Sequence, residues 1–282
     1  MLSAGRYKSG GKKKVAVEHQ YSWQMKKVSQ KVMLWLLLMG VVFCLAWLFY
    51  TMLLRSDVFR ITSVSVQGNK LTTQQQILEK AGLHRGRNLL TLDVSQIKSL
   101  ILQEQWIEEV SINRHWPSTV EIVIREYKPF ALINLERDGT QQLYYINNKG
   151  VIFAPSSAEK DIDYPVVNGS GLADDLQGKR FQENSLGSMA LDFLKLTARG
   201  NQILPIQAVS EINVDPELGL IVYLVDHPFP IYMGKDDIRL RFGRLVRVLA
   251  KLYKDDEVKG VAEIRMDYGD NKILVARVEG AI

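Results

Sequence analysis

The stretch VSINRHWPSTVEIVIR, residues 110–125, predicts a β-hairpin and decides the fold of the first folded segment. Apolar residues alternate with polar ones on both sides of Trp116-Pro117-Ser118, where the chain turns. The alternating apolar residues are Val110 and Ile112 before the turn, and Val120, Ile122 and Ile124 after it. This alternation places the apolar side chains of each strand on one face, so the hairpin has a face to bury.

One strand and two short helices precede the hairpin and can cover that face. Ile61–Val66 predicts a strand, Thr72 or Thr73 caps the helix that follows it, and Asp93 caps a second helix. The order strand, helix, helix, strand, strand predicts a three-stranded sheet with two helices over its apolar face. We assign this domain to residues 57–128.

A long apolar stretch, Val32–Leu54, lies upstream of this domain and contains 23 residues without a charge. At 1.5 Å per residue it can span a hydrocarbon core about 30 Å thick, so we predict a transmembrane helix over residues 32–54. Trp35, Trp47 and Tyr50 suit the membrane interfaces. The stretch is longer than the apolar region of a cleavable signal peptide, so we expect an uncleaved anchor.

The charges divide at this stretch. Residues 1–31 contain eight basic residues and one acidic residue, whereas the chain from Arg55 onward contains 28 basic and 30 acidic residues. The basic tail predicts a cytoplasmic N-terminus and an exported C-terminal part, and the acidic balance of that part argues against nucleic acid binding. The one cysteine, Cys44, lies inside the apolar stretch, so the exported part contains no cysteine and no disulfide, which is typical of a bacterial periplasmic domain. We expect residues 1–31 to be flexible.

A second set of elements follows Pro129, and we assign it to residues 131–282. Strands interrupted by helices, rather than alternating strand-helix units, predict a mostly antiparallel α+β domain. The expected elements are a hairpin of Leu143–Asn147 and Val151–Phe153, a helix over Ser185–Arg199, strands at Glu211–Val214, Leu220–Val225 and Pro230–Met233, a long helix from Asp236 or Asp237 to near Tyr253, and strands at Ala262–Met266 and Lys272–Val278.

Residues that could perform chemistry form no recognisable set. The four histidines are far apart in the sequence, and none has a partner at the spacing of zinc ligands. Nucleophile-elbow, Walker and dinucleotide-binding motifs are missing from the sequence. We therefore expect no catalytic, cofactor-binding or metal-binding residues.

Two features could bind a partner. Arg244, Arg247, Lys251 and Lys254 recur on one face of the long helix, either as a solvated face or as a docking site. The last strand carries only two charged residues. It lies either inside the sheet or at its edge, where free N–H and C=O groups could accept a strand from a partner.

The order of these elements, with several short strings, resembles the FtsQ/DivIB family of bacterial cell-division proteins, and the first exported domain looks like its POTRA domain. The similarity extends over nearly all of residues 31–278. The strings that support it are WIEEV at 106–110, RHWPSTV at 114–120, YINNKGVIF at 145–153, YPVVNG at 164–169, YMG at 232–234 and the segment 264–277. Asp267 departs from the family, in which many members have a basic residue.

The resemblance implies a non-enzymatic scaffold of the division septum, in the bacterial inner membrane, that binds and recruits the membrane-anchored proteins FtsB and FtsL. In the family the partner adds to the terminal strand and contacts the long helix. Carried over to this chain, the partner-binding residues are Arg247, Lys251, Tyr268, Ile273, Leu274, Val275, Ala276, Arg277 and Val278. The resemblance also implies recruitment contacts of the POTRA domain, for which the DNA translocase FtsK is the candidate partner.

Two other functions are compatible with the sequence. Location and abundant carboxylates would suit a membrane-anchored periplasmic cell-wall hydrolase, although no motif supports it. A POTRA domain could also act as a chaperone for outer-membrane protein assembly, although no barrel follows in this sequence.

The predicted topology can be tested with C-terminal fusions. We expect an alkaline phosphatase fusion to be active and a green fluorescent protein fusion exported by the same route to be dark, because the basic tail holds the N-terminus in the cytoplasm. An inactive phosphatase fusion together with a fluorescent green fluorescent protein fusion would contradict the predicted topology.

Overall fold

A computed structural model describes residues 11–137, 139–156, 163–268 and 272–278, and for residues 11–30 and Arg137 it describes the backbone alone. The first element is a 45-residue helix, α1 (Gly11–Arg55). Its part from Lys31 to Arg55 is long and apolar enough to cross a membrane, and none of it is buried against protein. We predicted that residues 1–31 are flexible, and for residues 11–31 this is wrong, because they continue the helix. Extending an existing helix is far easier than nucleating one, and no proline interrupts this segment. Residues 1–10 lie outside the described residues.

The first folded segment has the predicted order of elements. It contains β1 (Ser63–Gln67), α2 (Gln74–Lys80), α3 (Val94–Ile101), β2 (Ile107–His115) and β3 (Thr119–Glu126). The strands form a three-stranded sheet in the order β1-β3-β2. Thr73 is the cap of α2, since it accepts a hydrogen bond from the Gln76 N–H while the Gln76 side chain accepts one from the Thr73 N–H.

Glu126, the last residue of β3, holds the segment that leads into α2. Its carboxylate accepts hydrogen bonds from the N–H groups of Leu71, at 2.9 Å, and Thr72, at 2.9 Å. Burial raises the pKa of Glu126, but hydrogen bonds from the backbone of Leu71, Thr72 and Lys70 lower it further, so the pKa lies below the ordinary value. One carboxylate therefore satisfies backbone donors of the turn before α2.

The rest of the described chain forms a larger sheet with two helices. Its elements are β4 (Ala131–Arg137), β5 (Thr140–Ile146), β6 (Ile152–Pro155), β7 (Val166–Asn168), β8 (Leu176–Gln177), β9 (Arg180–Phe181), α4 (Leu186–Thr197), β10 (Val209–Asp215), β11 (Gly219–Leu224), β12 (Ile231–Gly234), α5 (Ile238–Lys254), β13 (Val261–Arg265) and β14 (Leu274–Arg277). The order in the nine-stranded sheet is β14-β13-β12-β11-β10-β7-β4-β5-β6, and β8 pairs with β9 separately. Five of its eight pairings are antiparallel, as predicted.

The three parallel pairings all join strands that are distant in sequence. They are β4 with β7, β7 with β10, and β12 with β13. The sequence analysis did not predict β4 or β7. β7 contains three residues and pairs on both sides with strands that lie far away in the chain, so no local pattern marks it.

Helices α4 and α5 cover one face of the large sheet. Phe193 of α4 and Phe242 of α5 pack edge to face, with ring centroids 5.6 Å apart. Leu245 and Leu249 of α5 are completely buried, and they join the strand residues in a single core cluster. This core fixes which side of α5 faces the sheet.

Aromatic side chains cover part of the other face of the large sheet. The Trp106 ring lies 5.2 Å from the rings of both Tyr145 and Phe153, and Tyr127 stacks on Phe153 at 4.7 Å. Beside this cluster, Glu108 accepts a hydrogen bond from Lys149 at 2.8 Å and pairs with Arg125 at 3.1 Å. The hydrogen bond from Lys149 is the largest cause that lowers the pKa of Glu108.

Contacts divide the chain into two compact units. The first comprises the chain through Ser65 together with Gly82–Val94 and Ile112–Ile122, and the second comprises the remainder. The boundaries predicted from sequence, 57–128 and 131–282, stay a prediction.

Glu126→Gln should loosen the turn that precedes α2. Hydrogen bonds to a charged group contribute about 1.5–3 kcal/mol, so we expect the amides of Leu71 and Thr72 to exchange roughly tenfold or more faster than in the wild type. The difference in exchange rate between the wild type and Glu126→Gln should be complete above the ordinary pKa of glutamate, where Glu126 is ionised. It should disappear as the pH falls through the lowered pKa of Glu126, because the protonated side chain is uncharged, like that of glutamine. Hydrogen exchange of the full-length protein measures the rates at the Leu71 and Thr72 amides. Glu217→Gln, at an exposed position, serves as the control, and equal protection in the wild type and Glu126→Gln at pH 7 would contradict the assignment.

Candidate partner-binding site

Strand β14 is the outermost strand at one end of the large sheet. It pairs antiparallel with β13, and Ile264 lies opposite Val275. The structure therefore resolves the alternative left open by the sequence, since the last strand lies at an edge. It is shorter than predicted and covers Leu274–Arg277 rather than residues 272–278.

The direction of the free hydrogen-bonding groups follows from the pairing. The Val278 N–H donates to the Gly260 carbonyl at 3.0 Å, so Val278 points its backbone groups towards β13. The Ile264 N–H donates to Pro230, on the β12 side, so its partner Val275 forms a non-hydrogen-bonded pair with it. Because backbone groups alternate along a strand, the N–H and C=O groups of Val275 and Arg277 point away from the sheet. These groups form the free edge.

Helix α5 lies beside this edge and is anchored at its first turn. The Asp237 carboxylate accepts a hydrogen bond from the Leu240 N–H at 3.2 Å and caps the helix. Arg241 donates to the Met233 carbonyl at 2.5 Å, and its guanidinium lies where a β carbon on Gly234 would be. With φ at +69°, position 234 suits glycine for both reasons.

A groove of about 620 Å³ lies between α5 and β14. Its lining combines apolar and charged side chains: Arg244, Arg247, Val248, Lys251, Leu252, Glu257, Ile273, Val275 and Arg277. The apolar lining residues come from both elements, while the cations of α5 flank them. An elongated, acidic and partly apolar ligand would match this composition.

One lining pair is already neutralised within the chain. Arg277 contacts the Glu257 carboxylate at 2.5 Å, and the two side chains are 58% and 42% exposed. By contrast, neither Arg247 nor Lys251 forms an ion pair with another part of the chain that the structure describes. Glu257 was not predicted from the sequence, because it lies after α5 and shares no periodicity with either element.

The structure brings together five of the nine predicted site residues. Arg247, Lys251, Ile273, Val275 and Arg277 line the groove. The other four, Leu274, Ala276, Val278 and Tyr268, do not. Leu274 and Ala276 alternate with the lining residues and face the opposite side of the sheet, and Val278 and Tyr268 are exposed beyond the ends of β14 and β13.

Val248 and Leu252 of α5 also line the groove, although neither was predicted from the sequence as a site residue. Leu252 is buried, whereas Val248 is half-buried at the border of the core. They are four residues apart on the helix face next to the cations, so a helical projection could have identified them as the apolar border of the charged stripe. Lys254, the last cation of the stripe, does not line the groove.

The face of the sheet opposite the groove carries a separate cluster near Leu274. Arg265 is the cross-strand neighbour of Leu274, and it makes two hydrogen bonds to Asp267 at 3.3 and 3.2 Å. Its guanidinium also lies 4.5 Å from the Tyr232 ring centroid. The hydrogen bond to Asp267 raises the pKa of Arg265. Asp267 therefore has a local partner in Arg265.

No metal site emerges from the described side chains, in which no three His, Cys, Asp or Glu residues lie close enough to hold an ion. The structure offers no constellation of catalytic groups in the groove either, since its single carboxylate is paired with Arg277.

Comparison with known proteins identifies both folded segments. Residues 59–127 match the POTRA domain of FtsQ type, and residues 135–268 match the C-terminal domain of the cell division proteins FtsQ and DivIB.

Individual relatives extend this similarity to most of the chain. The cell division protein FtsQ of Geobacter sp. (strain M21) is 28% identical over 82% of this chain and 81% of its own length, and FtsQ of Geotalea daltonii is 26% identical over 86% and 84%. The cell division protein DivIB of Clostridium acetobutylicum is 29% identical over 36% of this chain and 39% of its own length. With the POTRA-type fold, the nine-stranded sheet and the preceding apolar helix all in place, the chain belongs to the FtsQ/DivIB family of bacterial cell-division proteins.

Proposed function

We propose that this protein is a non-enzymatic scaffold of the division complex that binds FtsB- and FtsL-type partners through β14 and the α5 groove. The observation that carries the proposal is the free edge of β14 beside a groove that is both cationic and apolar. A partner that adds a strand there would extend the sheet and place its side chains against α5.

The binding would combine two interactions of different kinds. The outward N–H and C=O groups of Val275 and Arg277 would form backbone hydrogen bonds to the added strand, each contributing about 0.5–1.5 kcal/mol. Side chains on the groove side of the added strand would contact the apolar lining. Arg247 and Lys251, which have no ion pair within the described chain, would attract acidic side chains at the rim.

The membrane anchor completes the proposal. Lys31–Arg55 would hold the protein in the bacterial inner membrane as a single span, with the N-terminus in the cytoplasm and the two folded domains in the periplasm at the septum. The POTRA-type domain is free for a different recruitment contact, for which an FtsK-type translocase is the candidate. A partner that is itself anchored in the same membrane would reach the groove at a high effective concentration.

Val275→Pro tests the strand addition. The Val275 N–H points away from β13, so proline removes a donor to the partner while sparing the pairing within the sheet. We expect the Kd for an FtsB-type peptide to rise about tenfold or more, measured by isothermal titration calorimetry on the full chain in nanodiscs. Val275→Ala, which keeps the N–H, should change the Kd by much less. An unchanged Kd in a Val275→Pro protein with wild-type circular dichroism would refute the edge-strand mechanism.

Charge reversal on α5 tests the electrostatic part. Arg247→Glu or Lys251→Glu should slow association several-fold and flatten its dependence on salt concentration, because the cations steer an acidic partner. Lys254→Glu on the same helix is the matched control, since Lys254 lies outside the groove. Association rates from biolayer interferometry at several salt concentrations measure the effect. If Lys254→Glu slowed association as much as Arg247→Glu, general charge rather than the groove would be responsible.

A further inference from the structure

The turn of the β2–β3 hairpin exposes a large aromatic side chain. Trp116 is 56% exposed, and its ring packs edge to face on Phe59 with centroids 6.0 Å apart. Val58, next to Phe59, is 59% exposed. All three residues belong to the first compact unit, which also contains α1. Exposed apolar side chains that lie together mark candidate protein or membrane interaction sites.

Hydrogen bonds fasten this part of the chain to the end of the membrane helix. The Asn88 side-chain amide donates to the Leu54 carbonyl at 2.6 Å, and Leu54 is the last residue of the apolar stretch. Arg60 and Asn88 form an isolated β-bridge, and the Ile61 N–H donates to the Arg87 carbonyl at 2.9 Å. The loop around Asn88 and the segment that contains Phe59 therefore both lie where α1 would leave the bilayer.

The hairpin turn is attached to the same segment. The Thr62 N–H donates to the Ser118 carbonyl at 3.0 Å, and the hydroxyl groups of the two residues are 3.0 Å apart. With the Trp116 ring on Phe59, the turn has polar and apolar contacts to the residues that immediately follow α1. The position of Trp116 is thus coupled to the end of the membrane span through a short chain of contacts within one unit.

We infer that Arg55, Val58, Arg85, Arg87 and Trp116 form a membrane-contact surface that lies in the phospholipid headgroup region, in the leaflet at the C-terminal end of α1. The three arginines and the two apolar side chains are all exposed. Tryptophan is enriched at this depth because its ring is apolar and its N–H is polar, and arginine binds lipid phosphates. This membrane contact requires the membrane span but not the proposed partner binding.

A bilayer is favoured over a protein partner as the occupant because of the tether to Leu54. A hydrogen bond to the final carbonyl of the apolar stretch places Asn88 at the boundary of the hydrocarbon, and its neighbour Arg87 is exposed there. The surface therefore continues a membrane contact that the helix already makes. It would restrain the first folded unit against rotation about the helix axis.

Photo-crosslinking to lipid tests the surface directly. We would replace Trp116 with p-benzoylphenylalanine, which keeps an aromatic side chain, in the full chain reconstituted into nanodiscs that contain alkyne-tagged phosphatidylglycerol. The matched control carries the same amino acid at Leu218, an exposed apolar residue of the second unit. Mass spectrometry of the intact protein quantifies the lipid adduct, and we expect at least tenfold more adduct at position 116.

A second variant tests the tether. Asn88→Asp keeps the oxygen that accepts the Leu90 N–H, at 2.8 Å in the wild type, but removes the donor to the Leu54 carbonyl. We expect the lipid adduct at position 116 to fall at least threefold. Equal adducts at positions 116 and 218, adducts of position 116 with a second protein chain instead of lipid, or an unchanged adduct in Asn88→Asp would each overturn the inference as stated.

Discussion

The parallel pairing of β12 with β13 is the constraint on which the candidate site depends. Parallel neighbours need a long connection, and here α5 is that connection and packs on the sheet beside the two strands. Only eight residues separate β13 from β14, which is too short for a parallel crossover, so β14 returns antiparallel on the side of β13 that β12 leaves open. The groove between α5 and β14 is the geometric result of these two connections.

Local patterns predicted the elements that are stabilised locally. The hairpin at 110–125 and the two helix caps all depend on residues within a few positions of each other. The structure confirms the hairpin and selects Thr73 over Thr72 and Asp237 over Asp236 as the caps. β4 and β7 depend instead on partners that are distant in sequence, and no residue spacing encodes those pairings. The helix over residues 11–31 was missed for a related reason, because its stability comes from the apolar helix that follows it rather than from its own periodicity.

The candidate site shows the same division. The spacing of Arg244, Arg247 and Lys251 identified one wall of the groove, and the low charge of the last strand identified the other. The sequence could not show that Arg277 is paired with Glu257, since that contact depends on how the turn after α5 folds. It also could not exclude Leu274 and Ala276 from the groove until the side of the sheet covered by α5 was known. The family resemblance predicted the segment that binds the partner. The alternation of side chains along β14 shows which residues of that segment face the groove.

The cations beside β14 have a further effect on the protein before any partner arrives. A row of free N–H and C=O groups invites pairing between identical chains, which leads to aggregation unless something prevents it. Two copies that approached edge to edge would bring their α5 cations together, and this repulsion would oppose the homotypic contact at low and moderate ionic strength. The residues that favour an acidic partner would thus also keep an unoccupied edge soluble, so that neutralising them would favour self-association as well as weaken recruitment.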